Sequence, residues 1–234
     1  MPLDMTTFIE NFIIQPETTY KPTARQGSGM YASVFDSDMP NMVVKKGERT
    51  YSGTCLTDGW LVWAIYCMNR TQKHGVGWAF MPKIHGLVID YETGKFHAVI
   101  EKLKERRKEE DSRSNGKPNF TGYLDHALTK DKFGDSWGSP VRYEAQIRKA
   151  FTEIQVWFRG QGIDETPIFI DGHNGNWMWR ENLNRGHTLV FTDPFVVSSG
   201  FYEDSEEGAL AYNKLLMKMA EGNPNIKIIG EPEV

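Results

Sequence analysis

Apolar residues fall in short alternating runs over much of the first hundred positions, broken by glycine and turn formers, whereas helical spacing marks two longer stretches of the second half. The first twenty residues form a short amphipathic lead-in, with Phe8, Phe12, Ile13 and Ile14 spaced to cover another element. From Gln26 the composition turns to glycine, small and β-favouring residues. Gly27 to Phe35, a turn at Asp36 to Pro40, and Met42 to Lys46 predict strand, turn and strand. Asp58 to Asn69 is apolar on nearly every side and predicts a largely buried helix with Thr57 or Asp58 as N-cap, a strand being the alternative. Residues Ile84 to Leu103 alternate about Glu92-Thr93-Gly94-Lys95, which predicts a second hairpin whose returning strand, Phe96 to Ile100, runs into Glu101-Lys102-Leu103. The expected order is β-β-α-β-β.

Between Lys104 and about Gly138 the chain becomes highly charged and then rich in glycine, serine and asparagine. The run Glu105 to Asp111 mixes both signs, which predicts a solvated helix face or mobile loop rather than a docking site. We read this stretch as a break between two halves, 1–103 and 104–234. Val141 to Arg159 has helical period, with Ile147, Phe151, Ile154 and Phe158 on one face. A strand is expected at Pro167 to Ile170. A hairpin follows, from Trp177-Met178-Trp179 and Thr188-Leu189-Val190-Phe191 around a polar turn at Asn182 to Gly186. Asp204 to Ala220 predicts a helix, acidic at its start and basic at its end, as its dipole favours.

Composition narrows the function without naming it. The 234 residues are 39% hydrophobic, enough for one large domain or two small lobes, and no internal repeat is visible. A net charge of -4 provides no general field for nucleic acid or an anionic membrane, so neither is expected as a partner. Cys55 and Cys67 lack a metal-ligand spacing and read as reduced core thiols. The N-terminus has no basic start with a long apolar run, and no stretch reaches the ~18 apolar residues of a membrane span. A soluble intracellular protein is the expectation.

The chemistry concentrates in Phe169-Ile170-Asp171-Gly172-His173-Asn174-Gly175-Asn176 and, further on, Thr192-Asp193-Pro194. Asp171 and Asn176 could each be an ordinary turn former, since Asp-Gly and Asn-Gly pairs mark turns. Together with Asp193 they match a phosphoryl-transfer site: an aspartate and an asparagine on one loop can hold an acceptor hydroxyl and a magnesium ion, and a second aspartate supplies the main metal carboxylate. Upstream, Gly27-Ser28-Gly29 would let backbone N–H groups approach ATP phosphates, with Met30 or Tyr31 closing over them, although glycines at a hairpin tip also serve simply to permit positive φ. Lys45 on the returning strand would point at the α- and β-phosphates. Lys46 is the alternative, and strand alternation lets only one of the pair face a cleft. His173 reads as a group bracing the loop, because no metal-ligating neighbours surround it.

Asp-x-His-x-Gly-Asn at 171 to 176 with Thr-Asp-Pro at 192 to 194 resembles the protein-kinase-like superfamily, which includes protein kinases and aminoglycoside phosphotransferases. More narrowly, the run through Met178, the Thr-Asp-Pro motif, the short lobes and the glycine loop leading to Val43-Val44-Lys45 are similar to the early serine/threonine protein kinases of T7-like bacteriophages. The likeness spans about residues 24 to 200 and is faint between 104 and 140. It implies an α+β, compact bilobal fold, with a β-rich N-lobe carrying the glycine loop and a reduced helical C-lobe carrying the catalytic and metal loops. By the resemblance Asp171 is the catalytic base, Asn176 and Asp193 bind Mg2+, Lys45 contacts ATP phosphates, and Glu101 to Leu103 is the hinge that meets adenine. The implied activity is ATP-dependent phosphorylation of serine or threonine in host proteins, in the cytoplasm of a bacterial host. Ser198, Ser199 and the stretch 112 to 139 are candidate autophosphorylation sites.

The sequence also departs from that family. Phe169 stands where many kinases have histidine, Asp193-Pro194-Phe195 replaces Asp-Phe-Gly, no Ala-Pro-Glu follows, and the acidic partner of Lys45 is not a clear glutamate. Asp58 is the best candidate for that partner. Two other readings follow: a small-molecule phosphotransferase of the aminoglycoside type, and a pseudokinase that binds and inhibits a host protein. Substrate identity and oligomeric state are not encoded in any motif.

Overall fold

The computed structural model describes residues 4–28, 32–48, 57–104, 140–163, 168–170, 177–182, 186–197 and 206–230. In chain order the elements are α1 (Met5–Ile14), a 3-10 turn (Pro16–Thr18), β1 (Tyr20–Ser28), β2 (Ala32–Ser37), β3 (Met42–Glu48), β4 (Thr57–Asp58), α2 (Trp60–His74), β5 (Ile84–Asp90) and β6 (Lys95–Glu101). They continue with α3 (Pro140–Gly160), β7 (Ile168–Ile170), β8 (Trp177–Asn182), β9 (Gly186–Phe191), β10 (Phe195–Val197), α4 (Glu206–Ala220) and β11 (Ile226–Ile229). The architecture is α+β. The chain divides into two compact units, one of residues 1–77, 82–102 and 196–234, the other of residues 78–81 and 103–195.

The first unit is built on a six-stranded sheet in the order β1-β2-β3-β6-β5-β11. Its first five strands pair antiparallel, and β11 joins β5 in parallel. The sequence pattern placed the first strand at Gly27, but β1 begins at Tyr20, so Gly27 and Ser28 close β1 and the next hairpin starts at Ala32. Two register irregularities, between Tyr20 and Arg25 and between Arg25 and Gly27, break the two-residue period that would have revealed this strand.

Strand alternation gives the sheet two different faces. On one, Val44, Val88 and Val99 pack with Phe8 and Phe12 of α1, a helix capped by the Asp4 carboxylate, which accepts the Thr7 N–H. Gly86 of β5 sits beneath this helix: a Cβ there would lie 3.0 Å from Phe12 Cδ1. Phe12 has no exposed surface into which to swing. Gly86→Ala is therefore expected to cost about 1–3 kcal/mol through overpacking. A urea midpoint matching that of the wild type would contradict this.

The other face lies under α2, whose residues Trp60 to Met68 are all buried. Such all-round burial explains why its sequence is apolar on every side. The expected side-chain cap is absent: Gly59 occupies the N-cap position with no side-chain hydrogen bond. Thr57 and Asp58 instead form β4, paired antiparallel with Val197 and Val196, which draws their backbone into extended geometry before the helix starts. Gly75 closes α2 with φ of 73°, a left-handed position suited to glycine.

The C-terminal elements pack within this same unit. Asn69 Nδ2 of α2 donates to the Met219 carbonyl at 2.6 Å, Gln72 donates to Gly222 O at 2.9 Å, and Asn223 Nδ2 donates to Asn69 Oδ1 at 2.9 Å. Asn213 of α4 donates to the Tyr91 carbonyl. These bonds fix α4 beside α2 and deliver the chain to β11.

In the second unit, α3 buries Ala150, Ile154 and Phe158 along one stripe, the spacing expected of an amphipathic helix. β8 and β9 form the anticipated hairpin, with Trp177 opposite Phe191 and Asn182 opposite Gly186. Arg180 donates to the carbonyls of Ala79 and Met81 at 2.6 and 2.7 Å, and Phe191 N–H donates to Phe80 O at 2.9 Å. The segment 78–81 is thereby tied to this hairpin. Among the described residues, no helix is long and apolar enough to cross a membrane.

Candidate functional site

Lys45 and Lys46 leave β3 on opposite faces. Lys45 turns under α2, where it is only 9% exposed, and its Nζ lies 4.2 Å from the centre of the Trp60 ring. Trp60 in turn stacks on Phe96 of β6, with centroids 4.9 Å apart and an interplanar angle of 16°. A cation over an indole face gains roughly 0.5–2 kcal/mol according to its desolvation. The stack also restricts where the ammonium can point. Lys45 is thus a buried cation held at the third strand of a meander, directly across from Val34 and Ala98.

Lys46 takes the other face and donates to Glu17 at 3.0 Å, with 41% of its side chain exposed. Its hydrogen bond to Glu17 raises the Lys46 pKa, and the same bond, ahead of the charge itself, lowers that of Glu17. Across the strand pair stands His97, whose Nε2 is 3.7 Å from Glu17 Oε1, beyond hydrogen-bonding range. The His97 ring also lies 6.1 Å from that of Tyr20.

Burial, then the Lys46 charge, lowers the His97 pKa from an ordinary 6.5 to about 4, with Glu17 pulling the other way. The sign follows directly. Between those values the unfolded chain binds a proton at this site that the folded chain does not, so stability rises with pH. The contribution is complete above pH 6.5 and is lost as pH falls toward about 4. Denaturation midpoints measured at pH 7 and near pH 4 should differ less in His97→Leu than in the wild type, and an unchanged difference would exclude His97 as a source of that slope.

The glycine segment ends β1, where Gly27 faces Val34 and Ser28 faces Ser33. Gly29 and the tip beyond it lie outside the described residues. Asp58 pairs through its backbone with Val196 in β4; its side chain is not among those described. Glu101 ends β6 and turns its carboxylate to the Lys83 N–H at 2.8 Å, while its own N–H donates to the Lys83 carbonyl at 3.0 Å. Lys102 N–H donates to Asn41 O at 2.8 Å. Two of the three expected hinge N–H groups are therefore committed within the first unit, and Leu103, half-buried, follows them.

Asp193 lies in the short connection between β9 and β10, partly exposed, between half-buried Thr192 and buried Pro194. Val190 and Phe191, both buried, anchor the strand that leads to it, and the Phe191 ring meets Phe80 edge-on at 5.8 Å. Asp171, His173 and Asn176 fall in 171–176, outside the described residues, as do the candidate autophosphorylation positions Ser198, Ser199 and 112–139. β7 ends at Ile170 and β8 begins at Trp177, so the motif occupies the whole connection between two strands.

Two residues, one in each unit, make contacts that no motif announced. Trp60 holds the Lys45 ammonium, and Arg180 bonds two carbonyls of 78–81 from the strand that follows the motif. The usable signals were a tryptophan in the first turn of the helix after the lysine strand, and an arginine on a short hairpin.

No protein-family model matches the sequence, and no curated protein matches it either. Among solved structures, a mutant of the aminoglycoside 2'-phosphotransferase-IIIa in complex with GDP aligns over 94% of this chain and 82% of its own, at 12% identity and a TM-score of 0.33.

Proposed function

We propose that this chain is an ATP-dependent phosphotransferase of the protein-kinase-like type, with serine or threonine hydroxyls of host proteins as acceptors. The observation that carries the reading is Lys45: a buried lysine on the third strand of an antiparallel sheet, downstream of a glycine-bearing strand end and followed by a helix packed over it. Protein kinases place their phosphate-contacting lysine on the third strand, beneath a glycine loop and beside a helix. The order of the remaining parts supports the same reading. A strand leads into Asp171, a hairpin follows Asn176, and Asp193 comes directly after that hairpin.

In this reading Asp171 orients the acceptor hydroxyl and takes its proton, Lys45 contacts the α- and β-phosphates, and Leu103, after Glu101, offers backbone groups to adenine. Asn176 and Asp193 would hold magnesium. Their amide and carboxylate oxygens are the hard donors that this ion prefers, and such a pair leaves other positions for phosphate and water. When bound, magnesium neutralises charge on the transferring phosphoryl group.

The test is incubation of the purified protein with γ-labelled ATP, magnesium and bacterial lysate, with kanamycin-type aminoglycosides in parallel. Label on serine or threonine of lysate proteins is the expected result. Label confined to the aminoglycoside would select the small-molecule reading, which the Asp-x-His-x-Gly-Asn form of the loop favours. ATP binding without transfer to either acceptor would select the pseudokinase.

A further inference from the structure

If Lys45 meets the phosphates of ATP, whatever directs its ammonium belongs to the site. Protein kinases direct the corresponding lysine with a glutamate of the helix that follows. Here that helix is α2, and its 15 residues from Trp60 to His74 include no aspartate or glutamate. What α2 presents to the ammonium is the indole of Trp60, whose centre lies 4.2 Å from Lys45 Nζ. A ring face engages one side of a cation and is compatible with other partners, because an ammonium carries three N–H groups.

The indole is the more constrained member of the pair. Trp60 is 1% exposed and lies on Phe96, itself without exposed surface, with the two planes 16° apart. Phe96 stands opposite Gly47 of β3, so no cross-strand side chain displaces its ring. Just before Trp60, Thr57 and Asp58 pair with Val197 and Val196, and Gly59 O accepts the Trp63 N–H at 3.2 Å. The backbone is thus bonded on both sides of the indole. Lys45, in contrast, ends a flexible four-carbon stem, and Ala98, directly across from it on β6, is too small to steer that stem. The ring sets where the ammonium can rest.

We propose that Trp60 is a positioning residue for Lys45, its ring face holding the ammonium in place before ATP arrives, an inference that rests on the phosphotransferase reading. A cation placed in advance needs no reorganisation as charge develops on the transferring group. The ring also attracts through its quadrupole and carries no net charge, so it leaves the positive charge of Lys45 undiminished for the phosphates.

The experiment places mono-, di- and trifluorotryptophan at position 60 alone, by site-specific incorporation because the chain has 7 tryptophans. Fluorine draws electron density from the ring face and weakens its hold on a cation, with little change in ring shape. Transfer from ATP is followed to whichever acceptor the wild type labels. The expected result is a fall in kcat/KM for ATP with each added fluorine, reaching about two- to thirtyfold in all, the ratio equivalent to the full worth of a cation–π contact. The melting temperature should change little along the series. In a Lys45→Met background the series should be flat, since the group that the ring positions is gone. Trp60→Phe, which keeps a ring, should retain more transfer than Trp60→Leu. A flat series on native Lys45, in a protein whose Lys45→Met variant loses transfer, would overturn the assignment. So would a rise, which would mean that the ring keeps the ammonium from ATP, or an equal slope in both backgrounds, which would confine Trp60 to the core. Wild-type protein that transfers nothing fails the phosphotransferase reading itself, before any ring is altered, and the assignment falls with it.

Discussion

Asp171→Asn should abolish transfer of label from ATP to protein while leaving ATP binding nearly intact. The substitution keeps the side chain's shape and removes its charge and basicity. Proton transfer by a positioned side chain contributes on the order of 10²–10⁴-fold, so kcat should fall by about that factor. The residue follows β7 directly, and Ile168 of that strand is buried, so the exchange leaves the anchoring residues of the loop untouched. Asp193→Asn should behave differently. A metal carboxylate acts in binding as well as in chemistry, so this variant should also lose the magnesium dependence of ATP affinity. Measuring kcat for both variants beside ATP affinity with and without magnesium separates the two roles. Undiminished labelling in Asp171→Asn would remove the aspartate from the mechanism.

Much of the first unit was readable because its strands alternate. The β5 and β6 hairpin was placed by its Glu92 to Lys95 turn, and α2 by a run apolar on nearly every side, for which a strand stayed the alternative. The start of β1 was hidden by its own irregular register. The N-cap of α2 was misplaced because tertiary pairing of Thr57 and Asp58 with β10 overrides a local capping preference. β11 left no trace of its destination: Ile226 to Ile229 is apolar enough for a strand, but only the folded chain shows that it extends the N-terminal sheet in parallel. Pairing between residues so distant in sequence depends on loop closure and packing, which local pattern does not encode. The candidate site divides similarly. Alternation showed that Lys45 and Lys46 must part, and the fold shows which one is buried and that Trp60 lies beneath its ammonium.

Lys45→Met is expected to cost activity far more than stability. The native side chain keeps an ammonium at 9% exposure, and desolvating a cation is costly even where neighbours compensate. Methionine fills a similar volume without that cost. It gives up the contact with Trp60, roughly 0.5–2 kcal/mol, together with the ammonium's other interactions, so the melting temperature should hold or fall. Phosphoryl transfer should fall by on the order of 10²–10³-fold, as when one preorganised electrostatic group is deleted from an active site. Most of that loss should appear in kcat/KM for ATP, since in the proposed function the ammonium would meet phosphates in both ground and transition states. A lysine kept for packing would give a lower melting temperature with transfer intact. Lys45→Arg supplies the control: it keeps the charge and enlarges the head group, so partial activity with reduced stability would show that position as well as charge matters. Loss of transfer out of proportion to loss of stability is what would separate a site from a core.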